Sequence, residues 1–215
     1  ICRIAYKEGH SEKYHFCHFK LPKQKESTPR ALSRENFEKL RDLEIPEKRR
    51  SHIITKDLFL FACYTGTAYA DAVSITRENL FTDDGGSLWL KYRRKKTDYL
   101  GRVKLLPEAV ALIEKYRDDT RETLFPPQDY HTLRGNMKAL RLMAGLSQDL
   151  VYHMGRHSFA SLVTFEEGVP IETISKMLGH SNVRTTQIYA RVSPKRLFED
   201  MDRFIEATRD LKLIL

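Results

Sequence analysis

Cysteine is scarce in this 215-residue chain, and long apolar runs are missing from it. The three cysteines, Cys2, Cys17 and Cys63, stand apart from one another and form no CxxC pair. Isolated thiols favour a cytosolic protein with reduced cysteines, and they exclude a disulfide framework, a zinc ribbon and a thioredoxin-like redox site. No stretch approaches the roughly 18 consecutive apolar residues of a membrane span, and the first ten residues lack the apolar core of a signal peptide. We therefore expect a soluble, cytoplasmic protein with no membrane contact.

Acidic residues are also fewer than basic residues in this chain. The chain has 29 Asp and Glu residues against 37 Lys and Arg residues, which gives a formal net charge of +8. Such an excess favours an anionic partner, but a solvated basic surface explains it equally well. The net charge alone therefore does not identify the binding partner, and sequence motifs are needed.

Turn residues divide the chain into three parts. Residues 1–30 predict the end of a truncated N-terminal domain, with a helix stopped by Gly9 and then a linker, because the first residue, Ile1, already lies in a helical pattern. Residues 31–192 predict the main domain, and residues 193–215 a C-terminal helix or tail. The expected fold class is α+β and mainly α, with one small antiparallel sheet or hairpin in the main domain. Helices are predicted over residues 33–45, 51–66, 107–119, 129–145, 156–168, 170–179 and 183–192 and from residue 194, and strands over residues 87–94 and 101–107.

The stretch VYHMGRHSFASL, residues 151–162, allows three interpretations. His153 and His157 have the i, i+4 spacing of two metal ligands on a helix, but a metalloprotease motif needs Glu where Met154 stands. Gly155 moreover predicts that the helix begins near Arg156, so the two imidazoles need not lie on one face. The second interpretation is an ordinary helix start with locally bonded histidines. The third is a phosphate site, in which a guanidinium and an imidazole join the free amides of a helix N-terminus.

Two further motifs favour the phosphate site. His180 lies in KMLGHSNVRTTQIYARV nine positions before Tyr189, and Lys96 lies in YRRKKTD on the predicted hairpin. In this order, with HxxR at His153 to Arg156, the chain resembles the tyrosine recombinases of the integrase family. The resemblance implies a helical catalytic domain that cuts and rejoins double-stranded DNA without a cofactor or metal. It also implies a homotetramer on paired DNA sites, accessory DNA-bending proteins and a prokaryotic, nucleoid-associated setting, such as a conjugative transposon.

The resemblance assigns a role to each motif residue. Tyr189 would attack the phosphorus and form a 3′-phosphotyrosyl bond, and Arg156 would neutralise the phosphoryl oxygens. His153 would accept the tyrosine proton or donate to an oxygen, and His180 would hydrogen-bond the scissile phosphate. Lys96 would protonate the leaving 5′-oxygen, although the adjacent lysine is an alternative. DNA contacts are expected from Arg93, Arg94, Lys95 and Arg184, and support of the site from Asp71 and His157.

The chain departs from the family pattern at one catalytic position. Where the family has its first catalytic arginine, in a stretch like TGLRxSE, this chain has TGTAYADAV and the arginine is replaced by Ala68. Another base can compensate, with Arg77, Arg94 or Arg184 as candidates. Alternatively, the alanine is an engineered change that traps a DNA complex, or the chain is a natural variant that binds DNA without cutting it.

Two other functions fit the same motifs. A type IB topoisomerase shares the phosphotyrosine chemistry, and a DNA-binding regulator on the same fold would have Ala68 as its hallmark. The C-terminal segment has Leu197, Met201, Phe204 and Ile205 on one helix face. This face is suited either to exchange between protomers or to packing within one chain.

Overall fold

The computed structural model describes residues 2–14, 31–165, 168–188 and 194–208. In this part of the chain, helices predominate and a single small sheet accompanies them, which confirms the predicted fold class. No helix in the described ranges has the length and apolar content that a bilayer span requires. The α-helices are α1 (Cys2–Lys7), α2 (Arg34–Arg41), α3 (Arg50–Thr65), α4 (Tyr69–Ala72), α5 (Pro107–Lys115), α6 (Tyr130–Met143), α7 (His153–Ser158), α8 (Ile171–Met177), α9 (Arg184–Gln187) and α10 (Pro194–Thr208).

Helix α3 lies at the centre of the core. Every residue from Leu58 to Thr65 is buried, and helices α5, α6 and α7 pack around it. The helix ends as predicted at Gly66, which has a left-handed φ of 70° and donates its N–H to the Ala62 carbonyl. A side chain at Gly66 would also collide with Leu178 and Phe159, so glycine is required here for both conformation and space.

The sheet places the basic hairpin beside the helices. Strands β1 (Leu80–Thr82), β2 (Leu88–Arg93) and β3 (Leu100–Lys104) are antiparallel in the order β1-β2-β3. Alternation along β2 and β3 buries Leu90, Tyr92 and Val103 against the core. The predicted pair of strands is confirmed, whereas β1 and the short helix α4 were not expected from the sequence. The turn between β2 and β3 carries residues 94–99.

Helix α7 corrects one expectation from the sequence. It begins at His153, not near Arg156, and Gly155 lies inside it. A Cβ at Gly155 would lie 3.0 Å from the Ala62 Cβ and 3.1 Å from the Phe59 carbonyl oxygen, so this glycine lets α7 approach α3 closely. The tertiary packing therefore overrides the low helix propensity of glycine. A π-helical segment, Phe159–Phe165, continues the chain directly from α7.

Candidate active site

Arg156 lies at the centre of the candidate site, and its side chain is bonded to protein groups from two sides. The residue is 1% exposed. Its Nη1 donates to the carbonyl of Gly66 at 2.5 Å, and its Nη2 donates to the carbonyl of Leu178 at 2.7 Å. The same Nη2 lies 2.9 Å from Nε2 of His180. The guanidinium thus connects the end of α3 to the segment after α8.

The two predicted imidazoles face this guanidinium from different elements. His180 also lies 2.8 Å, at Nδ1, from the Thr186 hydroxyl. Burial and the Arg156 charge lower the pKa of His180 to about 4, so its ring is neutral at physiological pH. Burial and the same guanidinium also lower the pKa of His153. Both imidazoles are therefore bases rather than cations near pH 7.

His157 lies against His153 on the outer side of α7. The two rings are 4.3 Å apart at their centroids and nearly perpendicular. Burial, together with His153 and Arg156, lowers the pKa of His157 to about 4. Because α7 already begins at His153, it brings the two imidazoles together on one face. Within the described ranges, no group of three His, Cys, Asp or Glu side chains is arranged to hold a metal ion.

Arg94 approaches the site from the first position of the turn after β2. Its side chain is 10% exposed, and its Nε lies 3.8 Å from Oδ2 of the buried Asp71 on α4. The other carboxylate oxygen of Asp71 accepts the backbone N–H of Lys95 at 2.9 Å. A Cβ at Gly179 would lie 3.0 Å from the Arg94 Cδ, so the glycine makes room for the arginine stem. The Asp71 carboxylate thus forms a hydrogen bond with the start of the hairpin turn and an ion pair with Arg94, whose buried Nε has no hydrogen-bond partner among the described residues.

The two arginines and the three histidines described above line one cavity of about 260 Å³. Ile188, which precedes Tyr189 in the sequence, also lines it, whereas Tyr189 itself lies outside the described residues. The cavity is basic, since its lining includes two arginines, one lysine and three histidines. Its lining residues are Arg94, Lys96, Thr97, His153, Arg156, His157, Gly179, His180, Ser181, Thr185 and Ile188.

The other predicted basic residues lie outside that lining. Arg93 is exposed, and its guanidinium donates to the carbonyl of Asp98 within the hairpin turn. Lys95 and Arg184 are exposed. Arg77 forms a 2.6 Å ion pair with Asp119 and lines a separate cavity of about 310 Å³. Of the three candidates for the missing arginine, only Arg94 reaches the cavity.

Thr186 and Tyr92 belong to the site, although the sequence did not point to them. Thr186 is fully buried beside His180. Tyr92 is buried near Arg156, Asp71 and Arg94, and its burial raises the pKa of its phenol. The TT pair before the predicted nucleophile was visible in the sequence, but nothing in its spacing indicated which threonine faces His180.

Comparisons with known proteins agree with this geometry. Residues 30–196 match the phage integrase family. The tyrosine recombinase XerA of Thermococcus kodakarensis is 28% identical over 185 residues, covering 83% of this chain and 64% of that protein. A lambda integrase dimer bound to a COC' core site has a TM-score of 0.68 at 20% identity over 88% of this chain and 68% of that one. The Tn1549 transposon integrase in complex with a circular intermediate DNA has a TM-score of 0.64 at 17% identity, covering 94% of this chain and 74% of that one.

The chain therefore belongs to the phage integrase family, and its fold is that of a tyrosine recombinase catalytic domain. It spans less than two thirds of the length of the XerA relative that it matches.

Proposed function

We propose that this chain is the catalytic domain of a site-specific DNA recombinase that cuts DNA through a 3′-phosphotyrosyl bond to Tyr189. The observation that carries the proposal is the cavity in which Arg94, Lys96, Arg156 and the two neutral imidazoles of His153 and His180 converge. Membership of the phage integrase family and the sequence position of Tyr189 directly after the cavity residue Ile188 support it.

The proposed reaction conserves the energy of the phosphodiester. The Tyr189 oxygen bonds to phosphorus, the bond from phosphorus to the 5′-oxygen breaks, and the leaving oxygen takes a proton from Lys96. A neutral imidazole, that of His153 in the first instance, takes the phenol proton. The guanidiniums stabilise the charge that develops on the two non-bridging oxygens. Because phenolate is itself a good leaving group, the reverse step rejoins the strand.

We infer that Arg94 supplies the second guanidinium in place of the arginine missing at Ala68. Its stem packs against Gly179, its Nε lies 3.8 Å from the Asp71 carboxylate, and we propose that its Nη end extends into the cavity that the residue lines. Arg156 enters the same cavity from α7. Two guanidiniums on opposite sides of one phosphate provide the double clamp that the family obtains from two motif arginines.

A suicide DNA substrate with a nick next to the cleavage site tests the proposal. The nick lets a short product diffuse away, so a covalent protein–DNA adduct accumulates and is resolved on a denaturing gel. We expect an adduct with the unmodified chain and none with Tyr189→Phe, and peptide mapping of the adduct to Tyr189. Attachment at any other residue would overturn the mechanism. If the unmodified chain forms no adduct but Ala68→Arg forms abundant adduct, Arg94 does not replace the missing arginine.

A DNA-binding regulator is the second candidate, and Ala68 is the observation that favours it. On this reading the cavity holds a phosphate without cutting the strand. Tight DNA binding by the unmodified chain, with no adduct on any nicked substrate and none after Ala68→Arg, would support the regulator over the recombinase. Relaxation of supercoiled plasmid by single chains, without exchange between two sites, would instead support a topoisomerase.

Double-stranded DNA is the partner that this function requires. We propose that the exposed basic side chains of Arg93, Lys95 and Arg184 contact its phosphate backbone. We further propose assembly as a tetramer through α10, on which Phe198 is 69% exposed and Met201 48% exposed. Apolar side chains at this exposure on an amphipathic helix are suited to burial against a neighbouring protomer.

A further inference from the structure

Thr186 occupies a position beside the cavity that the proposed reaction does not yet explain. It is fully buried on the short helix α9, three residues before Tyr189 in the sequence. Its hydroxyl oxygen lies 2.8 Å from Nδ1 of His180. The opposite ring nitrogen, Nε2, lies 2.9 Å from Nη2 of Arg156. The imidazole is therefore held between a hydroxyl and a guanidinium.

The chemistry of these two neighbours determines where the imidazole proton resides. A guanidinium has N–H donors and no acceptor, so Nε2 of His180 must accept from Arg156. A neutral imidazole has a single N–H, which must then be on Nδ1 and donate to the Thr186 oxygen. The charged and titratable groups that act on His180 are Arg156 and His153 from α7 and Arg94 from the turn after β2. All three oppose a second proton on the ring.

We propose that Thr186 is a positioning residue: its hydroxyl accepts the Nδ1–H of His180 and fixes the ring so that Nε2 accepts from the Arg156 guanidinium. The proposal rests on the proposed function and changes one part of it. In this tautomer His180 does not donate to a phosphate oxygen. Its Nε2 lone pair instead accepts from Arg156 and so orients the guanidinium, which makes the phosphate contact.

The tautomer can be measured without any DNA. In protein labelled with ¹⁵N-histidine, two-bond ¹H–¹⁵N correlations at pH 7 distinguish Nδ1–H from Nε2–H, and the His180 signals are those lost in His180→Gln. We expect Nδ1–H in the unmodified chain and in Thr186→Ser, which keeps the hydroxyl. Thr186→Val keeps the volume but removes the acceptor, and there we expect the Nδ1–H proton signal to move upfield, because this N–H loses its hydrogen bond while Arg156 still occupies Nε2. An Nε2–H signal in the unmodified chain, or an unchanged signal in Thr186→Val, would overturn the proposal.

Cleavage of the nicked substrate then tests the consequence for the reaction. We expect Thr186→Val to form adduct about tenfold more slowly and Thr186→Ser to stay within about twofold of the unmodified chain, because one net hydrogen bond is lost in the first variant alone. Equal rates for Thr186→Val and the unmodified chain would refute the positioning role. If the unmodified chain forms no adduct at all, the proposed function fails, while the tautomer measurement still decides on Thr186.

Discussion

Arg156 and Arg94 reach the same cavity by different routes. Arg156 belongs to α7, is 1% exposed and donates to carbonyls at the ends of two separate elements, Gly66 and Leu178. Arg94 is the first residue of the turn after β2, and one carboxylate, that of Asp71, lies 3.8 Å from its Nε. The position of the first arginine is thus built into the core, whereas that of the second depends on the hairpin.

This difference separates structural from chemical roles. Removal of Arg156 leaves buried carbonyls without a donor, which weakens the fold as well as the site. Removal of Arg94 is a smaller loss, because the buried Asp71 carboxylate loses a 3.8 Å ion pair but keeps its hydrogen bond from the Lys95 N–H. The Asp71 side chain also shows how the segment that lacks an arginine at Ala68 still contributes to the site. Three residues after the alanine, it forms an ion pair with an arginine from the turn after β2.

The largest expected effect comes from Arg156→Lys. A lysine keeps the charge but cannot bond the Gly66 carbonyl, the Leu178 carbonyl and a phosphate at once. We expect adduct formation to fall by about 10³-fold or more. We also expect the free energy of unfolding, measured by urea denaturation, to fall by about 2 kcal/mol. An active Arg156→Lys variant with unchanged stability would contradict the central position given to this residue.

Arg94→Ala should separate the two properties. We expect adduct formation to fall by about 10²-fold, because one charge-assisted donor is lost from the transition state, while the urea midpoint changes little. Arg102→Ala is the matched control, since it removes the same charge from an exposed position on β3. Equal losses in the two variants would mean that net charge, rather than the placement of Arg94, determines the rate. Recovery of cleavage when Ala68→Arg is added to Arg94→Ala would support the exchange of one arginine for the other.

The sequence predicted the parts of this comparison that depend on local patterns. The apolar run of α3, its end at Gly66 and the two longer strands follow from periodicity and turn residues, and the structure confirms them. The order of His153, Arg156 and His180 was sufficient to predict a phosphate site. The convergence of these residues is a property of the family fold rather than of any single motif.

The sequence could not predict contacts between distant segments. Asp71 accepts a hydrogen bond from the backbone N–H of Lys95, 24 positions later in the chain. Nothing in the sequence spacing therefore distinguished Arg94 from Arg93 or Lys95 as the basic residue inside the cavity. The start of α7 was predicted wrongly because the close packing of Gly155 against α3 is a tertiary effect. Burial against a partner element, rather than propensity, determined both outcomes.

Asp71→Asn tests how the hairpin arginine is held. The amide keeps an oxygen for the Lys95 N–H but loses the charge that attracts Arg94, so we expect adduct formation to fall by about fivefold to tenfold. A double-mutant cycle gives the sharper measurement. In the Arg94→Ala background, Asp71→Asn should have almost no further effect, because its partner is already gone. Additive losses would show that Asp71 acts on something other than Arg94.

The smallest expected effect is a pH dependence of stability. It should come from the Arg156 part of the cavity rather than from the Arg94 part, because the imidazoles lie beside Arg156. Burial lowers the pKa values of His157 and His180 from 6.5 to about 4. Between these values the unfolded chain binds more protons than the folded one, so stability is complete above pH 6.5 and falls as the pH drops toward 4. We expect a lower urea midpoint at pH 5 than at pH 7. His157→Gln should reduce that difference, whereas Arg94→Ala should leave most of it, and an unchanged pH dependence in His157→Gln would place the titrating groups elsewhere.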